Sequence, residues 1–209
     1  MASMIGSKVE RKEDKKFLTG KGRYTADINL HNQTFAIFIR SPHARAKIKS
    51  IDTSKAKKAS GVVDVLTGKE LQDDKVGGLI AGWKIVSKDG TDMKCPAHPA
   101  LATDTVNYVG DHVALVIAES LQEAKDAAEL VNVEYKVLKA VASTGQAMES
   151  DTIHEGIDKN LCFDWELGDK SKTDEAFSSA DKVVEMNIVN NRLVPNAMEP
   201  RASIGDYNP

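Results

Sequence analysis

The chain is poor in several features that would classify it at once. Its 209 residues include only two cysteines, Cys95 and Cys162, too few for a disulfide framework. It has no apolar run of the ~18 residues needed for a membrane span, which predicts no membrane insertion. The opening Met1-Ala2-Ser3-Met4-Ile5-Gly6 lacks the apolar centre of a secretory signal. Together these absences predict a cytoplasmic protein with reduced thiols, in which the sequon at Asn32-Gln33-Thr34 stays idle. Basic residues are not in excess either. Lys and Arg number 28 against 31 Asp and Glu, for a net charge of -3, so the counterion-displacing surface of a nucleic-acid binder is missing. The Lys55-Ala56-Lys57-Lys58 patch reads as a solvated helix face.

What is present is an ordinary globular composition, 41% hydrophobic and 28% charged, able to bury a core. Residues 1–18 are polar, without a sustained period, and read as an arm. The run Phe35-Ala36-Ile37-Phe38-Ile39-Arg40 is apolar at successive positions and predicts a central strand, stopped by Pro42. Ala46, Ile48 and Ile51 predict a second strand. Asp52 or Thr53 caps a short helix through Ala59, Gly61 ends it, and Val62-Val63-Asp64-Val65-Leu66 predicts a third strand. Residues 77–99 show no period and form a long loop, expected to lie against another part of a larger protein. The clearest unit comes next. Val113 to Ala118 predicts a buried strand, Ser120 with Glu123 has capping-box spacing, and Leu121, Ala124, Ala128 and Val131 form an apolar helical stripe. Val131, Val133, Tyr135 and Val137 then alternate with polar residues as in a half-exposed strand. Strand, helix and strand in this order permit a crossover, with the sheet direction left open. A helix around 173–180 and a strand over 183–188, leading into residues 192–204, complete the reading.

Self-contained chemistry is scarce. Gly61 and Gly68-Lys69 are spaced two residues too far apart for a phosphate loop, and Glu70 stands where its Ser or Thr belongs. Gly20-Lys21-Gly22 lacks the third glycine of a dinucleotide fingerprint. Cys95, His98 and His112 are three zinc-type ligands without a fourth, so a loop thiol with surface histidines is the favoured reading. His43 and His154 have no nucleophile beside them. Cys162 reads as a packed thiol. Glu199 is an acid in an apolar, amide-rich segment, read first as an ion-pair partner of Arg201 or Arg192 and second as a group near a cofactor.

Five blocks, in order, carry a resemblance: Arg11-Lys12-Glu13-Asp14 leading into Gly20-Lys21-Gly22-Arg23-Tyr24-Thr25-Ala26-Asp27-Ile28; Ser41-Pro42-His43-Ala44-Arg45-Ala46-Lys47-Ile48; Ser50-Ile51-Asp52-Thr53; Tyr108-Val109-Gly110-Asp111-His112-Val113-Ala114-Leu115-Val116; and Arg192-Leu193-Val194-Pro195-Asn196-Ala197-Met198-Glu199-Pro200-Arg201-Ala202. They resemble the molybdenum-containing large subunits of the xanthine dehydrogenase, aldehyde oxidase and carbon monoxide dehydrogenase family. Residues 195–199 are most similar to its bacterial aldehyde and carbon monoxide dehydrogenase-like branch. The resemblance implies an α+β fold: an arm over 1–18, an α/β hammerhead domain over 19–139, and over 140–209 a linker and an incomplete α/β start of the molybdopterin-binding domain. It implies an oxidoreductase that hydroxylates an aldehyde, carbon monoxide or an N-heterocycle with oxygen from water. A molybdopterin-type molybdenum cofactor would serve the complete enzyme, with iron-sulfur and FAD subunits or domains and the remainder of the large subunit as partners. The family's glutamine, glycine motifs and base glutamate find no counterpart here. No catalytic residue and no metal ligand is therefore assigned, Glu199 and Arg201 are the nearest cofactor candidates, and the chain by itself is expected to bind no cofactor and to be inactive. The alternative is a stand-alone hammerhead-type binding or scaffold module.

Overall fold

The computed structural model describes residues 5, 6, 8–191, 193–197 and 199–208. In chain order the elements are α1 (Asp14–Leu18), β1 (Phe35–Arg40), β2 (Ala46–Asp52), β3 (Val62–Thr67), α2 (Gly68–Asp73), β4 (Thr105–Val106), β5 (His112–Ala118), α3 (Leu121–Glu129), β6 (Asn132–Val137) and α4 (Lys170–Ser179). The chain divides into two units, residues 34–183 and residues 1–33 with 184–209.

The larger unit is built on two three-stranded antiparallel sheets, in the orders β1-β5-β3 and β4-β2-β6. β5 lies at the centre of the first. Val113 and Val116 sit on opposite faces of it because side chains alternate along a strand. Val113 joins a cluster with Ala46, Ala102 and Val106, on which Ile48, Ile51, Val133 and Tyr135 pack; Val116 joins Ala56, Val65 and Ala127. With both faces covered, β5 reads as an unbroken apolar run. The crossover left open by the sequence is resolved in an unexpected way. β5 and β6 lie in different sheets, so α3 passes from one sheet to the other instead of returning to its own.

α3 begins as its sequence requires. The Ser120 hydroxyl accepts from the Glu123 N–H at 3.2 Å and donates to the Glu123 carboxylate at 2.7 Å. Ala124 and Ala127 are fully buried, with Ala128 and Val131 packed at the edge. The predicted stripe needs one correction, for Leu121 is 43% exposed and Ala127 takes its place in the core. Leu121 is the first helical residue, next to the cap, and the three alanines that follow give the helix a flat face on the sheet.

Further expectations are corrected. β1 is an edge strand, paired only with β5. Its outer apolar residue Phe38 finds no second strand and stacks on His112, with ring centroids 4.3 Å apart. The strand over 183–188 does not form, since residues 181–191 have no ladder partner among the described residues and Val184, Met186 and Ile188 are exposed. The helix expected at 173–180 starts earlier as α4, capped by Asp169, whose carboxylate accepts from the Lys172 N–H at 3.0 Å. The short helix after Asp52 is a single 3-10 turn, Ala56–Lys58.

In the smaller unit, the Phe17 and Tyr24 rings stack at 5.5 Å. A Cβ at position 22 would come within 2.6 Å of the Phe17 ring. Close packing of backbone on an aromatic ring, not phosphate binding, accounts for the second glycine of Gly20-Lys21-Gly22.

Candidate functional site

The residues of the Tyr108 to Val116 block come together with those of the Ser41 block at one backbone junction. Gly110 has φ of +93°, a left-handed conformation that side chains disfavour. Its N–H donates to the Ser41 carbonyl at 2.8 Å, and the Ser41 N–H donates to the Asp111 carbonyl, also at 2.8 Å. The buried Asp111 carboxylate accepts from the Asn107 N–H at 3.0 Å. Asp111 is therefore a turn-closing acid. Arg45, from the same Ser41 block, donates to the carbonyls of Lys139 and Ile153 at 3.3 and 3.2 Å. It fastens the end of β6 to the segment beyond it.

Next to this junction lies a cavity of about 570 Å³. Its wall is mainly apolar, from Leu79, Ile80, Met93, Pro96, Pro99 and Phe163, with Asn107, Tyr108 and Asp111 on one side and Cys95, Cys162, His98 and His154 around it. The long loop over 77–99 provides much of that wall. Val86 and Asp92 form an isolated antiparallel bridge within it, and Leu79 N–H donates to the His98 carbonyl at 2.7 Å. The loop is also bound to residues 162–164. Lys88 and Lys94 donate backbone N–H groups to the carbonyls of Asp164 and Cys162 at 2.8 and 2.9 Å, and the Lys88 ammonium meets the Asp164 carboxylate at 2.9 Å. That ion pair raises the lysine's pKa.

The titratable side chains near the cavity are tuned by simple causes. Burial, followed by the Asp111 charge, raises the Tyr108 pKa, and its hydroxyl lies 3.4 Å from His98 Nε2. Burial, followed by the Arg40 guanidinium, lowers the pKa of His112. Burial also raises that of Tyr135, whose ring meets His43 edge-on at 5.0 Å.

The zinc alternative is not supported: among the described residues no group of three or more His, Cys, Asp and Glu side chains is placed to hold a metal ion. Cys95 and His98 line the cavity while His112 faces Phe38. Cys162, expected to be packed, is exposed, because the segment carrying it runs over the loop and not through the core. Gly68 is not part of a phosphate loop. A Cβ there would come within 2.6 Å of the Ala102 carbonyl oxygen, and Glu70 closes a capping box, its carboxylate accepting from the Thr67 N–H at 2.9 Å and from the Thr67 hydroxyl. Thr67 followed three residues later by Glu70 is a capping signal that the phosphate-loop comparison obscured. Glu199 and Arg201 are exposed and no ion pair joins them; Arg192 lies outside the described residues.

The arrangement does not fit an anionic pterin-molybdenum group. The cavity wall is mainly apolar and its one Lys or Arg, Lys94, shares it with an acid, Asp111, not the cluster of cationic donors that an anionic phosphate calls for.

Two antiparallel sheets sharing a core, with one helix passing between them, define an α+β domain of the hammerhead kind. The chain belongs to the aldehyde oxidase and xanthine dehydrogenase family, whose a/b hammerhead domain model matches residues 19–139. It is 35% identical to the nicotine 6-hydroxylase large subunit of Paenarthrobacter nicotinovorans over 98% of this chain and 24% of that protein. With the carbon monoxide dehydrogenase large chain of Afipia carboxidovorans it shares 36% identity over 93% of this chain and 24% of the relative. Among solved structures, a Cu,Mo-CO dehydrogenase superposes with a TM-score of 0.66 and 34% identity, covering 85% of this chain and 23% of that one. Quinoline 2-oxidoreductase from Pseudomonas putida 86 gives 0.61 and 36%, over 70% and 18%. The chain thus spans about a quarter of the length of the relatives it matches. No helix among the described residues is long and apolar enough to cross a membrane.

Proposed function

We propose that this chain supplies the hammerhead portion of a cytoplasmic molybdenum hydroxylase large subunit and does not oxidise substrate by itself. The observation that carries the reading is the extent of the match: nearly the whole chain aligns, at 35% identity, with about a quarter of a hydroxylase large subunit. In the complete enzyme the molybdenum cofactor would supply two-electron oxidation with oxygen from water, of an aldehyde, carbon monoxide or an N-heterocycle, and iron-sulfur and FAD partners would take the electrons. The domain organisation we propose is the arm over 1–18, the hammerhead domain over 19–139, and a linker with the incomplete start of the molybdopterin-binding domain over 140–209.

The chain's own contribution is positional. The Ser41–Asp111 junction and the Arg45 clasp hold strand ends in register, giving a rigid body against which the remainder of a large subunit can dock. Of the side chains in this sequence, Glu199 and Arg201 are the ones we place nearest the cofactor; both are exposed. A site needs its full set of groups in place to orient reacting atoms, and the mainly apolar cavity lacks such a set.

The test is to purify the chain from a host that makes the cofactor, alone and co-expressed with the complementary three-quarters of a related large subunit. Molybdenum is then measured by mass spectrometry, and dye reduction is followed with aldehydes and N-heterocycles. We expect metal and turnover only with the complement. Stoichiometric molybdenum and turnover by the chain alone would overturn the proposal, and failure to associate with any complement would favour a stand-alone binding module.

A further inference from the structure

We propose that Cys95 and Cys162 form a reversible disulfide that straps the long loop over 77–99 to the segment over 157–164 at the cavity. The pairing does not rest on the proposed function. Three observations point to it. Both thiols are free and exposed, and both line the same cavity although they come from distant parts of the chain. The segments that bear them are also directly bonded, the Lys94 N–H donating to the Cys162 carbonyl at 2.9 Å.

That hydrogen bond sets the scale. A single N–H···O=C bond of this length keeps the Cα atoms of residues 94 and 162 within about 7 Å, and Cys95 lies one Cα step of about 3.8 Å further along. A disulfide spans Cα separations of about 4.4–6.8 Å, so closing the bridge requires a shift of the loop toward residue 162. The loop can make it, because residues 93–99 belong to no helix or strand, whereas residues 162–164 are held in place by Ser87, Lys88 and Lys94. Exposure of both sulfurs admits a small oxidant.

The chemistry is thiol–disulfide exchange with a low-molecular-weight disulfide. One protein thiolate attacks a sulfur of the small disulfide, breaking its S–S bond, releasing one thiol and leaving a mixed disulfide on the protein. The second protein thiolate attacks that protein sulfur, forming the Sγ–Sγ bond and releasing the other thiol. Two electrons pass from the protein pair to the small disulfide, and the protons of the two protein thiols end on the two released thiols.

The full chain, freshly reduced, is incubated with oxidised glutathione, then alkylated and analysed by mass spectrometry intact and as non-reduced peptides. The expected product is a monomer lighter by two hydrogens, carrying no alkyl group, with one peptide pair joining Cys95 to Cys162; reductant restores both thiols. Cys95→Ser and Cys162→Ser should each stop at one stable glutathione adduct. A wild-type product with two glutathione adducts, with both thiols still alkylated, or bridged between two chains would overturn the pairing.

Discussion

Ser41 and Gly110 meet backbone to backbone, the Gly110 N–H donating to the Ser41 carbonyl at 2.8 Å with Gly110 in the left-handed region at φ +93°. The turn before β5 and the end of β1 are therefore locked by a residue whose conformation a branched side chain resists. Gly110→Val should destabilise the chain by roughly 1–3 kcal/mol, read from the urea midpoint. Gly110→Asn, better tolerated at positive φ, should lose distinctly less. Equal losses from the two variants would show that backbone conformation is not the cause.

Ala124 is fully buried where α3 meets the first sheet. Ala124→Asp places a carboxylate there without a partner and should cost on the order of a few kcal/mol. Leu121→Ala, at the partly exposed start of the same helix, should cost much less. Chemical denaturation of the two variants side by side checks the order.

The α2 cap predicts a smaller effect. The Thr67 hydroxyl accepts from the Lys69 N–H at 3.3 Å and donates to the Glu70 carboxylate. Thr67→Ala should remove about 1 kcal/mol. Glu70 also has its pKa lowered, first by the Thr67 hydroxyl, so the same variant should move the Glu70 titration upward. Carboxylate NMR chemical shifts against pH provide the reading.

His112 predicts a pH dependence. Its folded-state pKa is lowered, by burial first and by Arg40 second. The unfolded chain therefore takes up a proton at higher pH than the folded one, and stability should fall as pH drops below about 6.5, until the folded-state value is passed. His112→Gln should flatten that part of the profile, measured as urea midpoints from about pH 7.5 to about pH 5, on both sides of the ordinary histidine value. An unchanged slope would remove His112 as its source.

Much of the larger unit was legible because its periods are clean. Val113 to Ala118, the Ser120 cap and the Val133, Tyr135 alternation each state a local preference that the fold keeps. β1 was misjudged because Phe38 makes its outer face look buried, whereas the structure covers that face with a histidine ring and solvent. The 183–188 segment has strand-like residues, but a strand exists only with a hydrogen-bonded neighbour, which local sequence does not specify. The cavity was illegible for a related reason. Its walls come from irregular segments joined by backbone bonds such as Lys94 to Cys162, and no period or spacing announces such contacts. The family blocks were recognisable, yet the role of Arg45 within one of them emerged only from the carbonyls it reaches in residues 139 and 153.

The central position of β5 has a consequence for how the molecule opens. Its backbone is paired on one side with β1 and on the other with β3, and its side chains belong to both core clusters. A fluctuation that frees its amides must undo either sheet edge and then disturb both clusters together. Hydrogen exchange along residues 113–118 should therefore be the slowest in the chain and proceed through global unfolding, while the edge amides of β1 and the loop over 77–99 exchange by smaller, local openings.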